Sequence, residues 1–147
     1  MCLLDAVREW SGEAITCTAS SHTDPANPLR ADGRLGAANG IEYAAQAMAI
    51  HGALLAGDDN EGSQPRQGYL TSVRSVTLHA ARLDDLPGEL IVRAERLSGD
   101  ANNILYQFSL SHGADCLLEG RAAVILDAAA AQGESSRAAV NPENSPK

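Results

Sequence analysis

Apolar and polar residues alternate along the second half of the chain, and this alternation predicts a series of β-strands. Over residues 104–110, Ile104, Tyr106, Phe108 and Leu110 occupy every second position. A period of two is typical of a strand with one buried face. Similar stretches cover residues 90–95 and 118–126, and residues 70–80 also read as extended. Turn residues at 86–88 and 112–115 separate these strands and predict antiparallel neighbours.

One segment has helical spacing instead. Its apolar positions recur at intervals of three and four residues, which predicts one face of an α-helix. Asn39 is a favourable N-cap, and Glu42 completes a capping-box pattern. The helix is expected to end at Gly57–Asn60. The many small residues on it favour a helix that a sheet wraps closely. The apolar positions are Ile41, Ala44, Ala45, Met48, Gly52 and Leu55.

The flanking segments complete the expected order of elements. A β-branched stretch predicts a strand at Ala14–Ala19, and the polar segment 21–36 predicts a long loop. Residues 128–147 lack periodicity and predict a disordered tail, which leaves residues 1–127 as the folded domain. One small-residue helix clasped by a curled antiparallel sheet of five to six strands is an α+β architecture.

Composition and charge exclude several functional classes. A chain of 147 residues fits one domain, and its net charge of −8 argues against a nucleic-acid partner. It has no apolar run long enough for a membrane span and no basic leader, so we expect a cytoplasmic protein. Aromatic residues make up only 3%, which favours further burial at a subunit interface. The three cysteines have no metal-ligand spacing, so we expect free thiols and no metal or cofactor.

The candidate chemistry is that of general acids and bases, because the common nucleophile and phosphate-binding motifs do not occur. Glu42 begins the predicted helix, with Gln46 one turn later on the same face. The alternative interpretation of Glu42 is a simple capping glutamate. His22 lies in the polar loop, where an imidazole suits proton abstraction, and its alternative is an exposed loop histidine. Backbone amides at residues 37–40 could polarise a carbonyl oxygen.

Three motifs in order resemble a known family. The helix 40–49, GIEYAAQAMA, carries an E-x-x-x-Q pattern, the chain opens with LLDAV at 3–7, and LPGEL at 86–90 leads into a strand. These stretches resemble hotdog-fold 3-hydroxyacyl-[acyl-carrier-protein] dehydratases of the FabA/FabZ type. The segment 22–35, with His22 and Asp24-Pro25, is similar to the branch associated with aryl-polyene biosynthesis.

The resemblance implies a lyase that converts 3-hydroxyacyl thioesters into trans-2-enoyl thioesters. It implies Glu42 as the acid, Gln46 as the substrate-binding glutamine and His22 as the base, with acid and base contributed by different subunits of a dimer. The chain departs from the family at His22, because Thr23-Asp24-Pro25 replaces the usual G-H-F-P-G context. The implied partners are an acyl carrier protein with a phosphopantetheine-linked acyl chain and a second hotdog subunit, identical or different.

Two alternatives remain open on the sequence. The chain could be a non-catalytic hotdog partner of an active dehydratase, which the changed His22 context favours, or an acyl thioesterase. Carrier proteins are generally acidic, so the net charge of −8 opposes docking. Docking would therefore require a local arginine patch, for which the candidates are Arg30, Arg34, Arg66 and Arg74.

Overall fold

A central helix lies against an antiparallel sheet in the computed structural model, which describes residues 2–59, 68–100 and 102–126. The helix and strands, in chain order, are β1 (Ala6–Trp10), β2 (Ala14–Ala19), α1 (Gly40–Asp59), β3 (Gly68–Leu78), β4 (Leu90–Gly99), β5 (Asn103–His112) and β6 (Asp115–Leu126). Short 3-10 turns at Ser21–Thr23 and Ala37–Asn39 precede α1.

The six strands form one sheet in the order β1-β2-β4-β5-β6-β3, and all neighbours are antiparallel. The helix contacts β2, β4, β5 and β3, so it lies across the middle of the sheet. The predicted α+β architecture, with one helix and five to six strands, is confirmed. β3 follows the helix in sequence but pairs at the far edge with β6, so β1 and β3 are the two edge strands.

The predicted inner faces of the strands form the core. The buried residues of β5 are Ile104, Tyr106, Phe108 and Leu110, and those of β4 are Leu90, Val92 and Ala94. The residues between them are exposed or half-buried, as one-sided burial requires. The few aromatic residues divide between core and surface. Tyr43, Tyr106 and Phe108 are buried, whereas Trp10 and Tyr69 are 40% exposed.

The start of α1 lies very close to the sheet. A Cβ atom placed on Gly40 would lie 2.5 Å from Leu118 Cδ2 and 3.0 Å from Leu110 Cδ2. Only glycine fits this approach without displacement of the two leucines. At Gly57, near the other end of α1, the same test meets no atom within 4 Å. The expected close packing of small residues is therefore confirmed at the beginning of the helix and is wrong at its end.

Three parts of the chain differ from the sequence expectations or lie outside the described residues. The strand β1 was not predicted, because its residues AVREW are all exposed and lack a buried face. The capping box is wrong: Asn39 lies in the 3-10 turn, and its Nδ2 donates to the Gly36 carbonyl oxygen at 3.2 Å. The predicted tail 128–147 lies outside the described residues, so the division into residues 1–127 and a tail stays a prediction.

Candidate active site

The polar segment 21–36 is anchored to the helix by buried hydrogen bonds. Asn27 is 3% exposed, and its Nδ2 donates to the Ser21 carbonyl oxygen at 2.9 Å and to Tyr43 Oη at 3.1 Å. Tyr43 Oη is also 2.8 Å from Ser21 Oγ. Since Tyr43 projects from the first turn of α1, these bonds fix the residues on both sides of His22 relative to the helix.

The imidazole of His22 is fully buried and held at one nitrogen only. Nε2 lies 2.9 Å from the carbonyl oxygen of Leu86, whereas the buried Nδ1 has no hydrogen-bond partner in the described structure. A carbonyl oxygen only accepts, so Nε2 carries the proton and donates it to Leu86. The neutral ring therefore keeps its lone pair on Nδ1. This is the arrangement that a general base requires.

Burial also sets the acidity of this ring. Removal from water lowers the pKa of His22 below its ordinary value of 6.5, against the raising effect of the hydrogen bond to Leu86. The neighbouring charges have smaller effects on that pKa, with His112 and Arg30 lowering it and Asp5 raising it. The neutral, proton-accepting form of His22 is thus favoured to a lower pH than in an ordinary histidine.

Glu42 lies in the first turn of α1 with its side chain exposed. Within the described residues, its carboxylate has neither a hydrogen-bond nor an ion-pair partner, and no such contact joins it to His22. With the capping box absent, the chain's own backbone gives Glu42 no capping role. One protomer therefore presents a buried imidazole and a separate, accessible carboxylate.

Gln46 connects the helix to the N-terminal segment. Its Oε1 accepts a 2.7 Å hydrogen bond from the Leu3 amide, and the Leu3 carbonyl oxygen accepts one from Ser21 Oγ at 2.8 Å. Gln46 is thus linked through Leu3 to the residue just before His22. Its predicted substrate-binding role stays a prediction.

The backbone amides expected to polarise a carbonyl oxygen are largely occupied. The Ala37 amide donates to the Ala81 carbonyl oxygen at 3.0 Å, and the Asn39 amide donates to that of Gly36 at 3.0 Å. The Gly40 amide donates to the carbonyl oxygens of Ala37 and Ala38. The expectation that these groups are free is wrong for these three residues, because the 3-10 turn before α1 satisfies the amides of Asn39 and Gly40 and the β3–β4 loop satisfies that of Ala37.

The loop between β3 and β4 supplies the Leu86 carbonyl oxygen that accepts from His22, and the Asp84 carboxylate anchors this loop. Asp84 Oδ1 accepts from the Leu35 amide at 2.9 Å and from Arg82 Nε at 3.0 Å, and Oδ2 accepts from Arg82 Nη2. Arg82 and Asp84 were not among the predicted site residues. Their Arg-x-Asp spacing indicates only a local ion pair and carries no information about the contact with Leu35.

The expected arginine patch is only partly available. Arg30 donates to the carbonyl oxygens of Asp24 at 3.0 Å, Gly33 at 3.0 Å and His22 at 3.3 Å. It is therefore a structural residue of the loop. Arg34 and Arg74 are exposed, and Arg66 lies outside the described residues.

One group in the described structure has the donor types of a metal site. The ligand atoms of His79, Cys116 and Glu119 lie within 4.8 Å of one another, and His79 Nε2 is 2.9 Å from Glu119 Oε2. The group contains neither His22 nor Glu42, so we assign it no part in the chemistry of this site. Cys2, Cys17 and Cys116 are free thiols, as expected. No helix in the described ranges is long and apolar enough to cross a membrane.

Solved structures share this fold. A chain of the dehydratase heterocomplex ApeI:P from Xenorhabdus doucetiae superposes with a TM-score of 0.74 at 21% identity, over 85% of this chain and 82% of that one. AziG from S. sahachiroi superposes with a TM-score of 0.61 at 12% identity, covering 82% and 89% of the two chains. A thioesterase from Haemophilus influenzae gives 0.57 at 15% identity, with 82% and 77% covered. The hotdog fold is thereby confirmed.

The family comparison is more specific than the fold. Among curated proteins, none matches this sequence. The family model described as ApeP dehydratase, in contrast, matches residues 1–133. That range contains His22, Glu42 and Gln46 as well as every described element of the fold. The chain therefore belongs to the ApeP-like dehydratase family.

Proposed function

We propose that this chain dehydrates 3-hydroxyacyl thioesters carried by an acyl carrier protein, with His22 as the base and Glu42 as the acid. The observation that carries the proposal is the His22 ring: it is buried, Nε2 is committed to the Leu86 carbonyl oxygen, and Nδ1 keeps an unshared pair. Membership in the ApeP-like dehydratase family supports the same chemistry. Gln46 is the proposed substrate-binding partner of this pair.

The proposed reaction needs only two proton transfers. Nδ1 of His22 takes the C2 proton of the 3-hydroxyacyl thioester, and the electrons of that C–H bond form the C2–C3 double bond. The C3–O bond breaks, and Glu42 gives a proton to the departing hydroxyl, which leaves as water. The imidazolium and the carboxylate then return to their starting forms by proton exchange. The products are a trans-2-enoyl thioester and water.

A second subunit completes the proposed site. Glu42 is exposed and not joined to His22 within one protomer, so the acid of one subunit would serve the base of another. Covering by that subunit would exclude water from Glu42. Nδ1 is sealed in the single protomer, so substrate entry requires the covering side chains to move apart.

The edge strand β3 is the surface that we propose for this pairing. Its outer edge has no strand beside it in the described sheet, and it exposes Tyr69, Leu70 and Leu78 by 40%, 42% and 49%. Exposed apolar side chains on an unpaired edge favour association with another chain. The solved ApeI:P relative is a heterocomplex. With a second copy of this chain as the partner, His22 of one subunit meets Glu42 of the other; the alternative partner is a different hotdog chain.

The proposal is tested by following product mass. The purified chain, alone and mixed with a candidate hotdog partner, is incubated with a 3-hydroxyacyl carrier protein. Loss of water from the acyl chain supports the proposal. Loss of the whole acyl group would instead indicate a thioesterase. If water is lost only in the mixture and a His22→Ala, Glu42→Gln double variant of this chain retains the full rate, the chain is a non-catalytic partner and the proposal is wrong.

A further inference from the structure

We propose that Asp84 is a positioning residue for His22: together with Arg30 and Arg82, it holds both ends of the hydrogen bond between His22 and Leu86. The inference rests on the proposed function of His22 as the base. Asp84 does not touch the reacting atoms. It acts through the backbone of two loops and through the proton arrangement of the His22 ring.

The acceptor for His22 is a loop carbonyl and not part of a strand. Leu86 lies between β3 and β4, where no ladder fixes its carbonyl oxygen. Backbone hydrogen bonds join this loop to the 22–36 segment and within itself. The Ala37 amide donates to the Ala81 carbonyl oxygen at 3.0 Å, the Leu83 amide donates to that of Leu35 at 2.7 Å, and the Leu86 amide donates to that of Leu83 at 3.2 Å. His112 Nε2 donates to the next carbonyl oxygen, that of Pro87, at 2.6 Å.

Asp84 lies two residues before Leu86 and is the most connected side chain of this loop. Only 6% of its side chain is exposed, although it carries a charge. Its two oxygens accept from the Leu35 amide and from Arg82, and Oδ2 is 3.9 Å from Arg30 Nη1. A nearly buried carboxylate with these partners is stabilised in place and resists displacement.

Arg30 connects the same carboxylate to the backbone of His22. Its Nη2 donates to the His22 carbonyl oxygen at 3.3 Å, while Nη1 faces Asp84. The 22–36 segment is bound a second time where the Leu35 amide meets Asp84. The donor loop and the acceptor loop of the His22–Leu86 bond therefore meet at one carboxylate.

Removal of the Asp84 charge should displace the Leu86 carbonyl oxygen more than it changes the overall fold. An Asn at position 84 keeps the size and one acceptor oxygen but weakens the bonds to both arginines. The Leu86 carbonyl oxygen then moves away from Nε2, and a fraction of the rings takes the other neutral form, with the proton on Nδ1. That form has no lone pair on Nδ1 and cannot remove the C2 proton.

The variant pair Asp84→Asn and Asp85→Asn provides a matched test. Asp85 is the exposed neighbour, with Oδ2 3.9 Å from Arg82 Nε, so its change removes the same charge from the same loop. The full-length chains are labelled with 15N-histidine, and the His22 ring nitrogens are identified by their absence in His22→Ala. The neutral ring should be protonated at Nε2 in the wild type and in Asp85→Asn, and mixed in Asp84→Asn.

The kinetic readout is a pH profile in the dehydration assay. We expect Asp84→Asn to lower kcat by about tenfold to 10²-fold, with a smaller change in KM, as a displaced base does. The acid limb of kcat/KM should move to lower pH, because the ring loses the Leu86 acceptor and Arg30 loses its counter-charge. His112, Asp5 and Arg30 are the other charged groups that act on His22, and none of them is altered in the variant.

A folded Asp84→Asn protein whose His22 ring stays fully protonated at Nε2 overturns the inference. If that variant does not fold, Arg82→Lys, which keeps the charge but not the paired donation to Asp84, should give a smaller shift of the same kind. A His22 ring that stays fully protonated at Nε2 in Arg82→Lys then overturns the inference. Full activity of His22→Ala would refute the proposed function alone, because the ring measurement reports on Asp84 regardless of activity.

Discussion

His22 Nε2 lies 2.9 Å from the carbonyl oxygen of Leu86, a residue 64 positions later in the chain. The bond fixes which ring nitrogen carries the proton, and the other nitrogen is buried with no hydrogen-bond partner among the described residues. His22 therefore differs from an exposed loop histidine, because Nδ1 is the one ring nitrogen that can accept a proton.

The pH dependence of the reaction should report on this ring. Burial lowers the pKa of His22 below 6.5, and the base must be neutral to act. The kcat/KM of the wild type should therefore persist below pH 6.5 and fall as the pH drops through the lowered pKa. His22→Ala should reduce kcat/KM by about 10²- to 10⁴-fold. His79→Ala is the control, since His79 is exposed and paired with Glu119. Equal losses in both variants would contradict the assignment.

Glu42→Gln should abolish proton donation while leaving the fold intact. Because Glu42 is exposed and has no hydrogen-bond or ion-pair partner among the described residues, its replacement should change the free energy of unfolding by less than about 0.5 kcal/mol. The dehydration rate should fall by about 10²- to 10⁴-fold, measured as kcat on the carrier-bound substrate. Glu95→Gln, an exposed glutamate on β4, serves as the matched control. A rate equal to that of the control would remove Glu42 from the mechanism.

Two glycines of α1 should respond differently to substitution by alanine. Gly40→Ala forces a Cβ against Leu118 and Leu110, and we expect a loss of about 1–3 kcal/mol in the free energy of unfolding. Gly57→Ala meets open space, and its better helix propensity should leave stability unchanged or raise it by up to about 1 kcal/mol. Urea unfolding of both variants measures the difference. Equal effects would show that the helix start is not in close contact with the sheet.

Stability should decline in mild acid because of a second buried histidine. His51 Nε2 donates to the Ser11 carbonyl oxygen at 2.7 Å, and Nδ1 accepts from Tyr106 Oη at 2.6 Å. Burial lowers the pKa of His51 and raises that of Tyr106 to about 12, so the pair is neutral in the folded state. As the pH falls below 6.5, the unfolded chain binds a proton at His51 before the folded chain does. The contribution of His51 to the free energy of unfolding is therefore present above pH 6.5 and is lost as the pH falls through the lowered pKa.

The expected slope is up to about 1.4 kcal/mol per pH unit for each such histidine. His22 shifts in the same direction, so two residues contribute between pH 7 and 5. Urea unfolding across this range should show a shallower slope in His51→Gln than in the wild type. A slope that does not depend on position 51 would show that His51 titrates normally in the folded protein.

Carrier-protein docking should depend on where positive charge lies and not only on its total. Arg34 is exposed on the segment that carries His22, whereas Arg8 lies on β1 and pairs with Glu89 at 2.9 Å. Arg34→Glu should raise the Kd for the carrier by about two- to fivefold, the effect of a rim ion pair. Arg8→Glu makes the same change to the net charge of −8 elsewhere. Equal weakening by both variants, in a titration at fixed salt, would argue against a local site.

Several elements follow from local pattern alone, and others do not. The alternation at residues 104–110 was sufficient to predict β5, because one buried face imposes a period of two. The edge strand β1 has no buried face, so its residues carry no such period. The predicted capping box is absent because a 3-10 turn precedes α1. Asn39 Nδ2 donates to the Gly36 carbonyl oxygen, and the Gly40 amide donates to the carbonyl oxygens of Ala37 and Ala38, so the turn does not use the Glu42 side chain.

The sequence by itself determined the α+β class, the helix with Glu42 and Gln46, and His22 as the one histidine ahead of that helix. These follow from periodicity and chain order, which are local properties. Only the tertiary structure decided which nitrogen of His22 is free, that Arg30 is an internal residue, and that Asp84 joins the two loops. Those facts depend on contacts between residues far apart in sequence, and no local pattern encodes which carbonyl oxygen or carboxylate a folded loop will bring within 3 Å.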